Sequence, residues 1–262
     1  MSEQPPPSDE PVRYERRGAA AVVTIDRQHR RNAVDGPTAA ALHSAYLRFE
    51  ADDDARVMVL TGAGGVSFCA GADLKAQETF VDRLMSDEGP MGFTRLTAAK
   101  PVIAAIGGWC LAGGLELALW CDLRIAGRSS KLGYPERRWG VPLIDGGTLR
   151  LPRIVGLGRA LDLILTGRLI ETDEALDWGL LTEVVDDGRH LDRALEIAAG
   201  LARFPQRTML SDRRSAIEGS TLPLAESLEF EARLGLESVR TGIEGAARFA
   251  AGEGRGGAGT GV

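Results

Sequence analysis

Cysteine and histidine are scarce in this sequence of 262 residues, which contains three of each. Three cysteines are too few, and too uneven in number, for a disulfide framework. Free buried thiols in a reducing compartment are therefore the better interpretation of Cys69, Cys110 and Cys121. No CxxC pair or HExxH-type spacing occurs, so the sequence predicts no metal site.

Long apolar runs and an excess of positive charge are also missing. No stretch approaches the roughly 18 apolar residues of a membrane helix, and the N-terminus MSEQPPPSDEP lacks the apolar core of a signal peptide. The formal net charge of −6 disfavours a general nucleic-acid-binding protein, although basic clusters occur within 13–17 and 27–31. We expect a cytoplasmic protein with neither a membrane nor a nucleic-acid partner.

Several enzyme signatures are absent. The sequence has no GxSxG nucleophile elbow and no GxxxxGK[ST] phosphate-binding loop. The glycines at 62–65 follow an apolar run, but they lead into a second apolar stretch rather than into a helix. That order does not fit a dinucleotide-binding turn.

Apolar, β-branched runs alternate with helical patterns through the first two-thirds of the chain, which predicts an α/β fold. The predicted strands are 20–25, 56–61, 102–107, 123–126 and 181–185. From about residue 190 the pattern changes to amphipathic helices with no strands between them. The predicted layout is a flexible tail at 1–11, a core at 12–190, a helical subdomain at 191–250 and a flexible tail at 251–262.

Two glycine-containing segments, 68–75 and 109–118, are candidates for binding an anion. Each is expected to leave a strand or loop and become helical, so each offers free backbone N–H groups. If the two segments face each other, they can hold an oxygen atom that becomes negative during a reaction. The alternative is a pair of tight turns in which glycine serves packing alone.

Two glutamates are candidate acid or base groups. Glu116 lies three residues after Gly113 among apolar neighbours, which predicts burial, and a buried carboxyl without a structural partner is a candidate for proton transfer. Glu136 follows Gly-Tyr-Pro in a predicted turn, where an exposed carboxylate is the alternative. In one apolar cleft, two carboxyls can divide acid and base duties because proximity separates their pKa values.

In their order and spacing, four segments resemble the crotonase superfamily, and within it the enoyl-CoA hydratase/isomerase family. They are RNAV at 31–34, SFCAGADLK at 67–75, KPVIAAIGGWCLAGGLELALWCD at 100–122 and KLGYPERRWGVP at 131–142. The resemblance runs from about Val22 to Phe249. It implies a spiral of ββα units, a C-terminal helical region that supports homotrimers or dimers of trimers, an acyl-CoA thioester substrate, and no metal or redox cofactor.

The resemblance also implies roles for individual residues. The oxyanion hole would be the backbone N–H groups of Ala72 and Gly113. Glu116 would orient and deprotonate the water that attacks the β-carbon of a 2-enoyl-CoA, and Glu136 would handle the proton at the α-carbon. The residues implied to contact CoA or substrate are Arg31, Ala33, Ala70, Asp73, Leu74 and Lys75.

The sequence departs from the family pattern at three positions near the site. Gly107 and Tyr134 stand where many hydratases have asparagine and glutamine, and Asp145 is either a further catalytic group or the N-cap of the following helix. An enoyl-CoA isomerase using Glu136, or Asp145, is therefore a second hypothesis. A non-catalytic protein that binds RNA through its arginine clusters is a third.

Overall fold

The computed structural model describes residues 10–253. The predicted flexible tails, 1–11 and 251–262, lie almost wholly outside the described residues. The chain divides into two compact units, with the division between Ala198 and Ala199. The first unit holds all the strands of the described chain, and the second is helical.

The bounds of the elements are as follows. The strands are β1 (Val12–Arg17), β2 (Ala20–Ile25), β3 (Val57–Gly62), β4 (Ser67–Cys69), β5 (Val102–Ile106), β6 (Trp109–Leu111), β7 (Leu123–Gly127), β8 (Lys131–Gly133), β9 (Leu169–Glu171) and β10 (Glu183–Val185). The α-helices are α1 (Gly36–Ala51), α2 (Gly113–Trp120), α3 (Gly147–Val155), α4 (Leu157–Thr166), α5 (Thr172–Asp177), α6 (His190–Arg203), α7 (Gln206–Gly219) and α8 (Leu224–Ala250). Short 3-10 helices lie at Gln28–Arg30, Gln77–Arg83 and Pro135–Trp139.

Two sheets run side by side through the first unit. One has the order β1-β2-β3-β5-β7-β10 and the other β4-β6-β8-β9. In each of the pairs β3/β4, β5/β6 and β7/β8, the first strand belongs to the six-stranded sheet and the second to the four-stranded sheet. The chain therefore advances along both sheets together. All the neighbours are parallel except β1 with β2 and β8 with β9. This stepwise advance is the predicted spiral.

The long strands form where the sequence is continuously apolar. Parallel strands covered on both faces require apolar side chains at successive positions, and β3 and β5 are buried along almost their whole length. Helix α1 begins after Asp35, whose side chain accepts a hydrogen bond from the Thr38 N–H at 2.9 Å. The α/β architecture predicted from the apolar runs is confirmed.

Five strands were not predicted. Strand β1 carries all three arginines of the first basic cluster. It is an edge strand paired antiparallel with β2, and edge strands tolerate charge because one side meets water. Strands β4, β6, β8 and β9 have only three residues each. A period-2 pattern cannot be recognised over so short a length.

The C-terminal helical region is confirmed. Helices α6, α7 and α8 follow β10, α7 packs along α8, and α8 ends at Ala250. The division between the compact units falls inside α6. Within residues 10–253, no helix has the length and apolar character needed to cross a membrane.

Candidate active site

A cavity of about 640 Å³ opens in the first unit. It brings together five residues that the sequence predicted to form one site: Ala72, Gly113, Glu116, Glu136 and Asp145. Its remaining walls are mainly apolar and come from the 3-10 helix at 77–83 and from residues 139–144. An apolar cavity with a few convergent polar groups is the usual form of a small-molecule site.

Residues 31–34 and 70–73 are joined by a short ladder of backbone hydrogen bonds. The Ala70 N–H donates to the Arg31 carbonyl at 3.1 Å, the Val34 N–H to Gly71 at 2.8 Å, and the Asp73 N–H to Val34 at 2.7 Å. Successive N–H groups of an extended segment point to opposite sides. The Ala72 N–H is therefore turned away from this ladder, and it has no acceptor among the described residues.

The N-terminus of α2 lies directly against this ladder. A Cβ added to Gly71, which has φ +93°, would lie 3.0 Å from the Gly113 nitrogen and 2.7 Å from the Ala112 Cβ. Ala112 itself has φ 54° and ψ −128°, a conformation that costs a non-glycine residue on the order of 1–3 kcal/mol. The Gly113 N–H, like that of Ala72, has no acceptor in the described chain. Two free donors thus lie next to each other at the cavity wall.

The segment 68–75 does not become helical, as the sequence analysis expected. After β4 it forms an isolated parallel bridge between Ala72 and Val34, and helix appears only at Gln77. The prediction of free N–H groups at two helix N-termini is wrong for this segment. Its free donor arises instead from one-sided strand pairing.

A buried asparagine, not singled out in the sequence, holds these pieces in register. Asn32 has φ 55° and is 1% exposed. Its Nδ2 donates to the carbonyl oxygens of Ala63 at 3.0 Å and Ser67 at 2.6 Å, and its Oδ1 accepts from the Arg27 N–H at 2.9 Å. The only sequence signal for this role was its place within RNAV.

Glu116 lies in the first turn of α2 and is 2% exposed. Its Oε1 accepts two backbone hydrogen bonds, from the Gly147 N–H at 2.7 Å and the Asp145 N–H at 3.0 Å. Its Oε2 accepts none from the described residues, and Glu116 lines the cavity. One oxygen is therefore anchored, and the other is available to a ligand or to water.

Glu136 lies in the 3-10 helix at 135–139 and is 6% exposed. Both of its carboxyl oxygens are buried, and neither has a hydrogen-bond partner among the described residues. The exposed-turn alternative is therefore excluded. An unpartnered buried carboxyl at a cavity wall is a candidate proton donor or acceptor.

Burial raises the pKa of both carboxyls. The pKa of Glu116 is raised to about 8 by burial and by the charge of Asp145, against the opposing effect of its two N–H donors. Burial also raises the pKa of Glu136 to about 7. Because the two carboxyls interact, these values describe the titration of the pair. Near neutral pH the pair exchanges protons readily, as acid–base chemistry requires.

The raised pKa of Glu136 predicts a stability effect. The folded value, about 7, exceeds the ordinary 4.5, so the stabilising effect of the proton is complete below the unfolded value and is lost as pH rises through 7. The side chain of Glu136→Gln cannot ionise. We therefore expect the free energy of unfolding of the variant, relative to that of the wild type, to rise by up to about 3 kcal/mol between about pH 5 and about pH 9. Urea unfolding at both pH values measures the gain. Glu78→Gln, an exposed position on the same cavity, is the control; an equal gain there would contradict the prediction.

Asp145 holds a loop in place. Its Oδ1 accepts hydrogen bonds from the Met91 N–H at 3.0 Å and from the Thr94 hydroxyl. The N-cap of α3 is Gly146, with no side-chain hydrogen bond, so the N-cap alternative for Asp145 is wrong. Burial raises the pKa of Asp145, while the bonds from Thr94 and Met91 oppose the rise. Its clearest contribution to the site is its own N–H, which binds Glu116.

Of the residues implied to contact CoA, some are accessible to a ligand and others are buried. Arg31, Leu74 and Lys75 are exposed, and Leu74 and Ala70 also line the cavity. Ala33 and Asp73 are buried instead, at 7% and 6% exposed. The Asp73 carboxylate lies 3.2 Å from a guanidinium nitrogen of Arg27, so its side chain is already engaged within the protein.

No three histidine, cysteine, aspartate or glutamate side chains between residues 10 and 253 are grouped closely enough to hold a metal ion. The polar groups that face the cavity are suited to binding an oxygen atom and moving protons. Two N–H donors can stabilise a developing oxyanion, and two carboxyls beside them can exchange protons with a ligand and with water.

Comparison with known proteins gives consistent matches over almost the whole chain. The model of the family described as enoyl-CoA hydratase/isomerase matches residues 15–250. The chain is 37% identical over 248 residues to a probable enoyl-CoA hydratase of Rhizobium meliloti, covering 93% of this chain and 96% of the relative. It is 36% identical over 230 residues to enoyl-CoA hydratase EchA19 of Mycobacterium tuberculosis, covering 85% and 86%.

Solved structures agree with these matches. Enoyl-CoA hydratase EchA1 from Mycobacterium marinum superposes with a TM-score of 0.87 at 35% identity, covering 92% of this chain and 96% of the other. A probable enoyl-CoA hydratase/isomerase from Mycobacterium abscessus gives a TM-score of 0.84 at 37% identity, covering 93% and 96%. The fold that the sequence motifs implied is confirmed.

Proposed function

The chain belongs to the enoyl-CoA hydratase/isomerase family, and we propose that it adds water across the double bond of a 2-enoyl-CoA thioester. The observation that carries this proposal is the placement of two free N–H donors, Ala72 and Gly113, beside two buried carboxyls, Glu116 and Glu136, on one cavity. Hydration needs stabilisation of an enolate, activation of water and delivery of a proton. The four groups supply all three.

The thioester oxygen binds between the Ala72 and Gly113 N–H groups. When water adds to the β-carbon, the double-bond electrons move to that oxygen, and the two donors stabilise the negative charge of the enolate. One carboxylate takes a proton from the attacking water, and the other carboxyl delivers a proton to the α-carbon. The product is a 3-hydroxyacyl-CoA, and the pair keeps its single proton through the cycle.

We assign the base to Glu116 and the acid to Glu136. The order of their pKa values, about 8 and about 7, leaves the last proton on Glu116 even with its two N–H bonds counted. The assignment therefore rests on geometry. Two N–H bonds fix one oxygen of Glu116 and leave the other free to orient the attacking water, whereas both oxygens of Glu136 are unpartnered. Hydration proceeds from the form of the pair that carries its proton on Glu136.

An enoyl-CoA isomerase is the second candidate. Moving a double bond requires one group that removes a proton from one carbon and returns it to another. Glu136, with two unpartnered oxygens at the cavity wall, could do this alone. The anchored carboxylate of Glu116 has no function in such a reaction, and for that reason we favour hydration.

The arginine clusters do not favour the RNA-binding alternative. In the first cluster, Arg13 lies 3.1 Å from Asp26 and Arg16 lies 2.8 Å from Asp54. In the second, Arg27 lies 2.7 Å from Asp35. Phosphate binding would compete with these ion pairs.

A homotrimer or a dimer of trimers is part of the proposal. Its support within the second unit is α8, which leaves six large apolar side chains exposed. They are Leu224 (75%), Leu228 (55%), Leu236 (74%), Val239 (48%), Ile243 (65%) and Phe249 (61%). Exposed apolar surfaces of this kind mark interaction sites.

To distinguish hydration from isomerisation, the pure protein is incubated with 2-enoyl-CoA and 3-enoyl-CoA esters of matched chain length, and the products are identified. We expect the 2-enoyl ester to be hydrated to the 3-hydroxyacyl ester, with the 3-enoyl ester converted more slowly. Conversion of the 3-enoyl ester to the 2-enoyl ester, without hydration, would establish the isomerase instead. Turnover of neither ester would overturn both assignments.

A further inference from the structure

Tyr134 is buried beside the two carboxyls, and the proposed reaction does not use it. Its side chain is fully buried, at 0% exposed, and it immediately precedes the 3-10 helix that carries Glu136. Its hydroxyl has no hydrogen-bond partner among the described residues. Burying a hydroxyl without a partner costs about 1–3 kcal/mol, and phenylalanine would fill the same space without that cost.

The hydroxyl lies near the anchored oxygen of Glu116. A Cβ added to Gly147 would be 2.7 Å from the Tyr134 hydroxyl and 2.9 Å from the Glu116 Oε1. Both oxygens therefore border the space that glycine leaves open at position 147. The Gly147 N–H already donates to Oε1, so it offers nothing to the tyrosine.

The charges around Tyr134 make its hydroxyl a donor. Burial raises its pKa well above the ordinary value, and the neighbouring carboxylates of Glu116 and Glu136 raise it further. The phenol therefore keeps its proton throughout the working pH range. A neutral hydroxyl beside an ionised carboxylate donates to it, and hydrogen bonds to charged groups are the stronger ones.

We propose that Tyr134 is a positioning residue for hydration: its hydroxyl donates a hydrogen bond to the Glu116 carboxylate when that carboxylate ionises, and holds it towards the attacking water. No bond of the substrate forms or breaks at the tyrosine. The inference rests on the proposed function, because it supposes that ionised Glu116 activates water.

Removing the hydroxyl should lower turnover without weakening substrate binding. For Tyr134→Phe we expect kcat to fall about tenfold with KM unchanged, the value of one hydrogen bond to a charged group. The low-pH limb of kcat/KM should move up by about one pH unit, because the ionised carboxylate loses a donor. Tyr14→Phe is the matched control, since the Tyr14 hydroxyl is also buried without a partner and belongs to β1. It should leave both quantities unchanged.

A double-mutant cycle separates positioning through Glu116 from a structural role. In a Glu116→Gln background, Tyr134→Phe should cost no further activity, because the group it positions is already gone. An unchanged pH profile, or the same tenfold loss in both backgrounds, would overturn the inference.

A spectroscopic test needs no turnover, so it remains informative if the proposed function fails. The chain has three tyrosines; with Tyr14→Phe and Tyr46→Phe, Tyr134 is the only one, and 3-fluorotyrosine labelling gives a single ¹⁹F resonance. The titration is followed with Glu136→Gln also in place, so that Glu116 is the one of the two carboxyls still able to ionise. We expect the chemical shift to titrate near pH 8 in that background and to stay flat once Glu116→Gln is added. A flat titration with Glu116 present would overturn the inference even if Tyr134→Phe proved unstable.

Discussion

Glu116→Gln should lower kcat for hydration of a 2-enoyl-CoA by about 10³-fold, within the range of 10²–10⁴ for general acid–base groups. The substitution keeps the shape of the side chain, and its Oε1 can still accept the hydrogen bonds from Gly147 and Asp145. It removes the negative charge that takes the proton from water. Substrate binding should be little affected, since the anchored oxygen holds the same position.

The measurement is the loss of enoyl absorbance under saturating substrate, with KM obtained separately. Glu78→Gln is the matched control: it also replaces a carboxyl that lines the cavity, but an exposed one. We expect that variant to retain wild-type turnover. If Glu116→Gln kept more than about a tenth of the wild-type kcat, Glu116 would not be the base.

Gly71→Ala should lower kcat by about 10²–10³-fold, the effect of losing one oxyanion donor. The added methyl would lie 3.0 Å from the Gly113 nitrogen, in contact with the donor that is proposed to bind the thioester oxygen. It would also press on Ala112, which already has a strained backbone. We therefore expect kcat to fall by more than the loss of folding stability can explain.

A second variant, Gly18→Ala, measures the cost of placing alanine at a positive φ without a contact to the site. Gly18 has φ +60° and no atom within 4 Å of an added Cβ, so Gly18→Ala introduces a similar left-handed alanine without the contact. In urea unfolding, Gly18→Ala should lose on the order of 1 kcal/mol, and Gly71→Ala should lose more, because its methyl also presses on Ala112. Steady-state kinetics should then show the loss of turnover in Gly71→Ala alone, and equal activities in the two variants would contradict the oxyanion role of this wall.

The sequence predicted the parts of the fold that are long and repetitive. The buried strands β2, β3, β5 and β7 follow from apolar runs of four to six residues, and the last helices from their amphipathic spacing. The three-residue strands of the second sheet could not be found, because their partners are distant in sequence and their side chains have no recognisable period. Only the tertiary arrangement defines them.

For the site, residue identities were predictable and their arrangement was not. Glu116 was identified by its apolar surroundings and its distance from Gly113. The free N–H of Ala72 was predicted for the wrong reason, since it comes from one-sided pairing with 31–34 rather than from a helix end. The role of Asn32 and the contact between Met91 and Asp145 depend on segments more than 30 residues apart, which no local pattern encodes.

Because main-chain groups anchor Glu116, the substrate preference of the enzyme can change without disturbing this carboxyl. Because the two donors are backbone N–H groups of Asp145 and Gly147, side chains at 141–144 can be exchanged without removing either one. Those same side chains form part of the cavity wall. Substitutions in this loop can therefore change the acyl preference while Glu116 keeps its position. At Gly147, by contrast, an added side chain would press on the Glu116 carboxyl itself.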